Sequence, residues 1–452
     1  MQLWVGCAFR SLDRTRLSNS LLPGSADDPV MGRRERTVLL VIFTLVALAL
    51  RIGYVLTTEV DVPIRADAAQ YFACAQNLVA HGTFSTQTGT VPRPDSFRSP
   101  GYPAFLATVL GTVGRDRFYL VVLLIQAMLG ALVVPLAYRL ARTFASPAIG
   151  LASAALTALS PHLVTSCGYL LSEAVTAPLL GAALLAISIC RRRSTTGRCV
   201  CSGLLLTALY LVQEATLPLP FAFAVWLGWR PGLRRPAAIL FAVFALGAGA
   251  WQVRCRVAVP EGAATAQQRV LATLSHGTYP GLVHTTESNR YYPYRDDPEQ
   301  PEFGRSWPRF VEVFSARFAA RPWRHVAWYL FEKPVWLWSW GILQGQGDVF
   351  VYPVRHSLFE QVPVVDAIRV AMRWLHPFLV IAMVLACLMR RVPAPVVVTL
   401  IWFTVLHSLF LPDPRYLVPL KPLLFATALP GIAAVLTRLR LGSNTMQLTK
   451  PA

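Results

Sequence analysis

Charge is scarce in this sequence: 14% of its 452 residues are Asp, Glu, Lys or Arg, whereas 54% are apolar. So little charge argues against a soluble enzyme. With a mean hydropathy of +0.48 it points to a polytopic α-helical membrane protein. Acid is the scarcer sign, 23 Asp and Glu against 42 Lys and Arg, for a net charge of +19. No basic run is interleaved with stacking aromatics, so nucleic acid is not an expected partner. Also missing are a Walker loop, a GxSxG elbow and an HExxH helix, which argues against ATP hydrolysis and serine or zinc peptidase chemistry. Cys199 and Cys201 have neither zinc nor thioredoxin spacing, and the eight cysteines are read as unpaired. The first thirty residues lack the apolar region of a signal peptide and are expected to be disordered. Met31, followed by "GRRERTVLLVIF", is an alternative start.

What the chain does have is apolar runs. They lie at 37–57, 117–143, 147–166, 170–190, 199–214, 215–229, 236–257, 367–390, 394–411 and 414–437. The expected fold is an all-α bundle of about ten transmembrane helices (roughly 9–12). "LPLP" at 217–220 either separates two short helices or kinks one long one. Arginines such as Arg33, Arg139, Arg191, Arg234, Arg390 and Arg438 flank alternate ends. By the positive-inside rule both termini are cytoplasmic, in a bacterial inner membrane. A cytoplasmic segment 1–36 precedes the membrane domain 37–437, and a tail 438–452 follows it. Two long polar stretches, 58–116 and 258–366, are then extracytoplasmic. After Met31, every acidic residue except Glu35 falls on or near that outer side.

Three outer features could carry chemistry. "RADAAQYFACAQNLVAHGTFS" reads as an interfacial helix, with Asp67, Tyr71, Cys74 and Leu78 along one face. Ala68, Phe72, Ala75 and Val79 form the adjacent apolar stripe. Asp67 could equally be an N-terminal acid favoured by the helix dipole. Past it, "DSFRSPGYPAFL" sets Arg98 beside rigid prolines and Gly101, and the helix after it is too short to span. Second, Glu173 in "SCGYLLSEAV" heads a span, where a carboxylate is costly unless paired, used or part of a helix start. Glu214, after Gln213, poses the same question in a weaker context. Third, "HSLFLPDPRYLVPLKP" brings Arg415 and Tyr416 into a span from outside. Arg415 either snorkels to lipid headgroups or has a partner, and a guanidinium suits a phosphate. In 258–366, Tyr279, Tyr291, Tyr292 and Tyr294 join a run dense in tryptophan, Trp323 to Trp340, read as a bilayer-interface anchor.

Taken in order, "DAAQY" (Asp67 to Tyr71), "RSPGYPAFLA" from Arg98, "LSEA" ending at Ala174 and "PRYLVPLKP" from Pro414 resemble the GT-C glycosyltransferases. The branch is that of protein mannosyltransferases, aminoarabinose transferases and rhizobial lipopolysaccharide galacturonosyltransferases. The resemblance implies a GT-C-like bundle with extracytoplasmic interfacial helices. It implies Asp67 as catalytic base, with Arg98 and Arg415 on the donor phosphate. Tyr71, Tyr102, Glu173 and Tyr416 would shape the site. The implied partners are membrane lipid, a polyprenyl-phosphate-linked sugar and a glycan, lipid or protein acceptor. The chain departs from the family where relatives carry an Arg-Pro pair and it has Gln213-Glu214. It keeps Trp251 and Arg254 but has Cys255, and Asp67 replaces an acidic pair.

Inverting transfer at a membrane surface needs a base for the acceptor hydroxyl and cationic groups for the departing phosphate. No cofactor is certain: arginines can serve alone, whereas Asp67 with Glu173 could hold a divalent cation. A polysaccharide polymerase or ligase, or a lipid-linked sugar flippase, are the competing readings; a transporter would show repeats and midplane charges.

Overall fold

In the computed structural model the described residues are 31–89, 91–282, 293–344 and 352–448, with side chains to 438. The segment 1–30, with its expected disorder, lies outside them, as do Tyr291 and Tyr292. The chain is an all-α multi-pass membrane protein. Among the described residues its longer helices are α1 (Arg33–Thr57), α2 (Ala66–His81), α3 (Gly101–Ala141), α4 (Pro147–Leu159), α5 (Glu173–Arg192), α6 (Thr196–Val212), α7 (Leu219–Gly228), α8 (Arg234–Ala258), α9 (Ala266–His276), α10 (Trp307–Ala320), α11 (Pro363–Leu388), α12 (Ala394–Leu409) and α13 (Lys421–Leu448). Two short strands, Glu59–Val60 and Val354–His356, pair antiparallel and tie the two long polar stretches together.

Each expected span is helical over most of its length, but among the described residues six helices meet the length and apolarity of a membrane crossing. A seventh crossing forms if α4 and the turn Pro161–Gly168 count as one span bent by 48°. The difference has local causes. α12 has 16 residues, about 24 Å of rise, short of a bilayer core of about 30 Å. The stretch with "LPLP" resolves into two helices, α6 and α7, joined by a 3₁₀ turn at Glu214–Thr216.

Lipid tails are as apolar as the helices, so association depends on close packing rather than on escape from water. α11 and α13 meet through small residues: Gly431 of α13 lies against the Ala382 carbonyl and the Ala386 methyl of α11, leaving no room for a Cβ. Outward faces stay apolar: Val41, Ile42 and Leu45 on α1 and Phe378, Ile381 and Leu388 on α11 are exposed.

The bend after α4 explains a buried arginine that no motif singles out. Pro161 has no N–H for the carbonyl of Thr157, four residues earlier. Arg51, fully buried in α1, supplies the donors instead. Its Nη2 bonds Thr157 O at 3.4 Å, and its Nη1 bonds Ala158 O at 3.3 Å and Ala47 O at 3.0 Å.

Two elements outside the spans position the site. α2 lies on the first part of α3, burying Ala68, Phe72 and Ala75 as the apolar stripe predicts. Val79, expected on that stripe, is 50% exposed, because α2 buries its side chains only as far as Asn77. α3 breaks at Gly114, whose φ of 74° is left-handed and suits glycine. The piece from Gly101 to Val113 is therefore separate from the span that follows. The tryptophan run is only partly an exposed anchor: Trp323 is exposed, whereas Trp328 is fully buried and donates to Gly277 O at 3.0 Å.

Candidate active site

α2 opens abruptly. Ala66 holds φ at 47°, a left-handed value that costs a non-glycine residue about 1–3 kcal/mol. That turn places Asp67 in the first helical turn, with the macrodipole behind it. Gln70 and Tyr71 follow at the spacings that share its face.

Asp67 gives one oxygen to each of two arginines. Arg98 Nη2 donates to Oδ1 at 2.5 Å, and Arg415 Nη2 donates to Oδ2 at 2.5 Å. Both guanidiniums are largely buried, at 11% and 8% side-chain exposure, so neither bond is a solvent-screened surface pair. Burial pushes the Asp67 carboxyl up, but the Arg98 and Arg415 charges outweigh it and hold it well below the usual carboxylate range. Burial opposes the charge on Arg98 in turn, and Asp67 and Tyr71 outweigh that and raise its pKa.

Arg98 is held on three sides. Beyond Asp67, its Nε donates to Gln70 Oε1 at 2.7 Å, and its guanidinium lies 4.9 Å over the Tyr71 ring. Tyr71 packs edge-on against Tyr102 at 5.0 Å. Tyr102 is buried and turns its hydroxyl away, to Gln126 Oε1 at 2.7 Å, so it supports Tyr71 and faces no ligand itself.

Arg415 bridges two carboxylates. Its Nε lies 3.0 Å from Oε1 of Glu173, which is 4% exposed at the head of α5. That contact pairs charges without hydrogen-bond alignment, since Nε makes no hydrogen bond. Asp413 fixes the local turn by accepting from the Arg415 backbone N–H at 2.7 Å. Tyr416 stacks on His407 at 4.7 Å and lies under the Arg415 guanidinium at 5.4 Å.

The structure thus brings Asp67, Arg98, Arg415, Glu173 and Tyr71 into one cluster, with Tyr102 and Tyr416 behind it. As arranged, the donor set does not fit a divalent cation. Both oxygens of Asp67 are committed to guanidiniums, and Glu173 faces the same Arg415. Among the described residues no three His, Cys, Asp or Glu side chains converge to hold a metal.

Sequence reasoning missed Gln70, which lies inside the quoted "DAAQY", and underrated Glu214. It also missed Arg269, whose context carries no local signal. Glu214 accepts from Ser99 Oγ at 2.7 Å and pairs with Arg269. Arg254, kept beside Trp251, braces the approach to Arg98 by donating to Phe84 O at 3.1 Å and to Asp95 O.

Neither a protein-family model nor a curated protein sequence matches the chain. Solved structures do. The archaeal oligosaccharyltransferase AglB from Archaeoglobus fulgidus, in complex with an inhibitory peptide and a dolichol-phosphate, is similar at 15% identity and a TM-score of 0.49. The match covers 92% of this chain and 52% of that one. ArnT from Cupriavidus metallidurans bound to undecaprenyl phosphate is similar at 15% identity and a TM-score of 0.47, over 89% of this chain and 61% of that one. The chain spans about half the length of the oligosaccharyltransferase structures it matches.

Proposed function

We propose that this chain is a GT-C-type glycosyltransferase. It moves a sugar from a polyprenyl-monophosphate donor to a hydroxyl of a glycan, lipid or protein acceptor, on the extracytoplasmic side and with inversion. One observation carries the reading: the Asp67 carboxylate, on a helix outside the spans, is shared by the two guanidiniums of Arg98 and Arg415. A base and a cationic phosphate site then lie within one contact of each other.

The acceptor oxygen attacks the anomeric carbon on the face opposite the phosphate. The new C–O bond forms as the C–O bond to phosphate breaks, and the acceptor proton passes to Asp67. The donor is a phosphodiester with one negative charge, and the departing lipid phosphate gains a second. Arg98 and Arg415 therefore hold the transition state more strongly than the ground state.

In the free protein Asp67 is a weak base because both oxygens accept from guanidiniums. A phosphate competes for those same donors, and bidentate pairing favours it. Each bond it draws from Asp67 restores basicity to the carboxylate. The donor so prepares its own base.

The test is transfer from radiolabelled polyprenyl-monophosphate sugars in membranes expressing wild type, Asp67→Asn or Arg98→Ala. Label reaching an acceptor with wild type only is the expected outcome. Undiminished transfer by Asp67→Asn removes Asp67 as the base. No transfer by folded wild type from any donor moves the reading to a diphosphate-dependent polymerase or ligase, or to a transporter.

A further inference from the structure

Arg98 sits in the short non-helical segment before α3, where the backbone bends, and an arginine on such a segment has many reachable positions. Its neighbours on both sides are fixed to one ion pair. Glu214, in the turn between α6 and α7, accepts from Ser99 Oγ at 2.7 Å. The same carboxylate pairs with Arg269 of α9, and Arg269 Nε donates to the carbonyl of Phe97 at 2.7 Å. The residue before Arg98 and the residue after it are thus tied to Glu214 by separate routes.

The segment is pinned beyond those contacts as well. Ser96 N–H donates to Ala264 O at 3.0 Å. Asp95, fully buried, accepts from Thr86 N–H at 2.6 Å and from Thr86 Oγ1 at 2.5 Å. Those bonds set where the segment begins. Asp95 Oδ1 also accepts from the Phe97 N–H at 3.2 Å, whereas Glu214 and Arg269 are the partners that reach Arg98's neighbours from other elements, Ser99 through its hydroxyl and Phe97 through its carbonyl. Among the described residues Glu214 Oε2 accepts from Ser99 and Oε1 pairs with Arg269, and the nearby negative charge also favours the charged form of Arg98.

We infer that Glu214 is a positioning residue: through Ser99, and through Arg269 on Phe97, it aims the Arg98 guanidinium at Asp67 and the donor phosphate. It touches neither reacting atom. The inference rests on the reading of Arg98 as a donor-phosphate ligand, yet the aiming of Arg98 at Asp67 can be measured without any substrate.

The substrate-free arm is a double-mutant cycle of Asp67→Asn and Arg98→Ala, read as thermal unfolding of the full-length protein in detergent. It is run with Glu214 and again with Glu214→Ala. The stability coupling of Asp67 and Arg98 is expected to fall by more than half in the Glu214→Ala background; an unchanged coupling overturns the inference. Ser99→Ala, which removes one arm only, gives a smaller fall in the same direction if Glu214→Ala folds poorly. In the transfer assay, Glu214→Ala is expected to raise the donor KM about tenfold, the scale of a lost hydrogen bond to a charged group. Glu214→Gln, which keeps an acceptor for Ser99, recovers part of that. Combined with Arg98→Ala, Glu214→Ala should add nothing, and an additive loss overturns the inference. If wild type transfers no sugar the glycosyltransferase reading fails, and the coupling measurement still decides the role of Glu214.

Discussion

Arg415 lies 348 residues from Asp67 in sequence and 2.5 Å from it in the fold. The same guanidinium faces Glu173 at 3.0 Å, so one cation serves two carboxylates in a largely buried place. A lysine there would offer a single point charge without the planar fork that spans both. Arg415→Lys is therefore expected to lose transfer nearly as fully as Arg415→Ala, by about 10²–10³-fold. Glu173→Gln should be milder, because it loosens Arg415 without removing it. Initial rates normalised to folded protein check this, and a wild-type rate for Arg415→Lys would mean that charge alone suffices.

The depressed Asp67 carboxyl makes a prediction about pH. Burial raises its pKa, and the Arg98 and Arg415 charges lower it further than burial raises it. A carboxyl lowered in the fold contributes stability above its ordinary pKa and loses it only as pH falls through the folded value. The Asp67 contribution should thus persist through mildly acidic pH. Activity should behave differently in its two constants. kcat/KM reports the free protein, where guanidiniums hold Asp67 low, and kcat reports the complex, where phosphate draws them off. The acidic limb of kcat is expected at higher pH than that of kcat/KM. Coincident limbs would mean that the donor leaves the Asp67 pairs intact.

Chelation is the next test. Sequence left a cation on Asp67 and Glu173 open, but in the fold the charges against these carboxylates belong to arginines. Transfer is expected to survive EDTA and dialysis unchanged within error. Loss on chelation with recovery on a divalent cation would mean that donor binding rebuilds the cluster around a metal.

What could be read in advance follows from the range of the interactions. The face shared by Asp67 and Tyr71 is a property of helical spacing, and an arginine entering a span from outside announces that it needs a partner. Neither says which partner. The contacts of Arg51 are with backbone carbonyls, which have no residue identity, and one of these carbonyls is free only because of Pro161. Glu214 and Arg269 are 55 residues apart, and α9 carries no motif that marks Arg269. The buried stripe of α2 was legible at Ala68, Phe72 and Ala75 and failed at Val79, since periodicity gives a direction but not where the neighbouring helix stops covering it.

Arg51 makes a stability prediction separate from the site. Arg51→Leu leaves the carbonyls of Thr157 and Ala158 without their arginine donor at the bend. A buried carbonyl left unmade costs about 1–3 kcal/mol. The variant should unfold at clearly lower temperature in detergent yet transfer sugar normally where it remains folded. Thermal unfolding followed by helical circular dichroism, with activity measured below the transition, checks both parts. An unchanged transition would mean that water replaces the guanidinium.

Gly101 tests how closely the segment carrying Arg98 must approach α6. A Cβ at this position would lie 2.8 Å from the carbonyl carbon and oxygen of Leu211 and 2.8 Å from Val212 Cγ2. Two of those atoms are backbone at the end of a helix, so the neighbour cannot swing aside as a side-chain tip would. Gly101→Ala must push the segment away from the helix end that leads into Glu214, and the Ser99 bond to Glu214 stretches with it. Overpacking of this kind costs about 1–3 kcal/mol. The larger expected effect is on chemistry, a fall of at least about tenfold in transfer from a misplaced Arg98. Gly197→Ala is the matched control, since a Cβ there meets nothing within 4 Å. Equal transfer rates for the two alanine variants would show that Arg98 reaches Asp67 without close packing of its segment on α6.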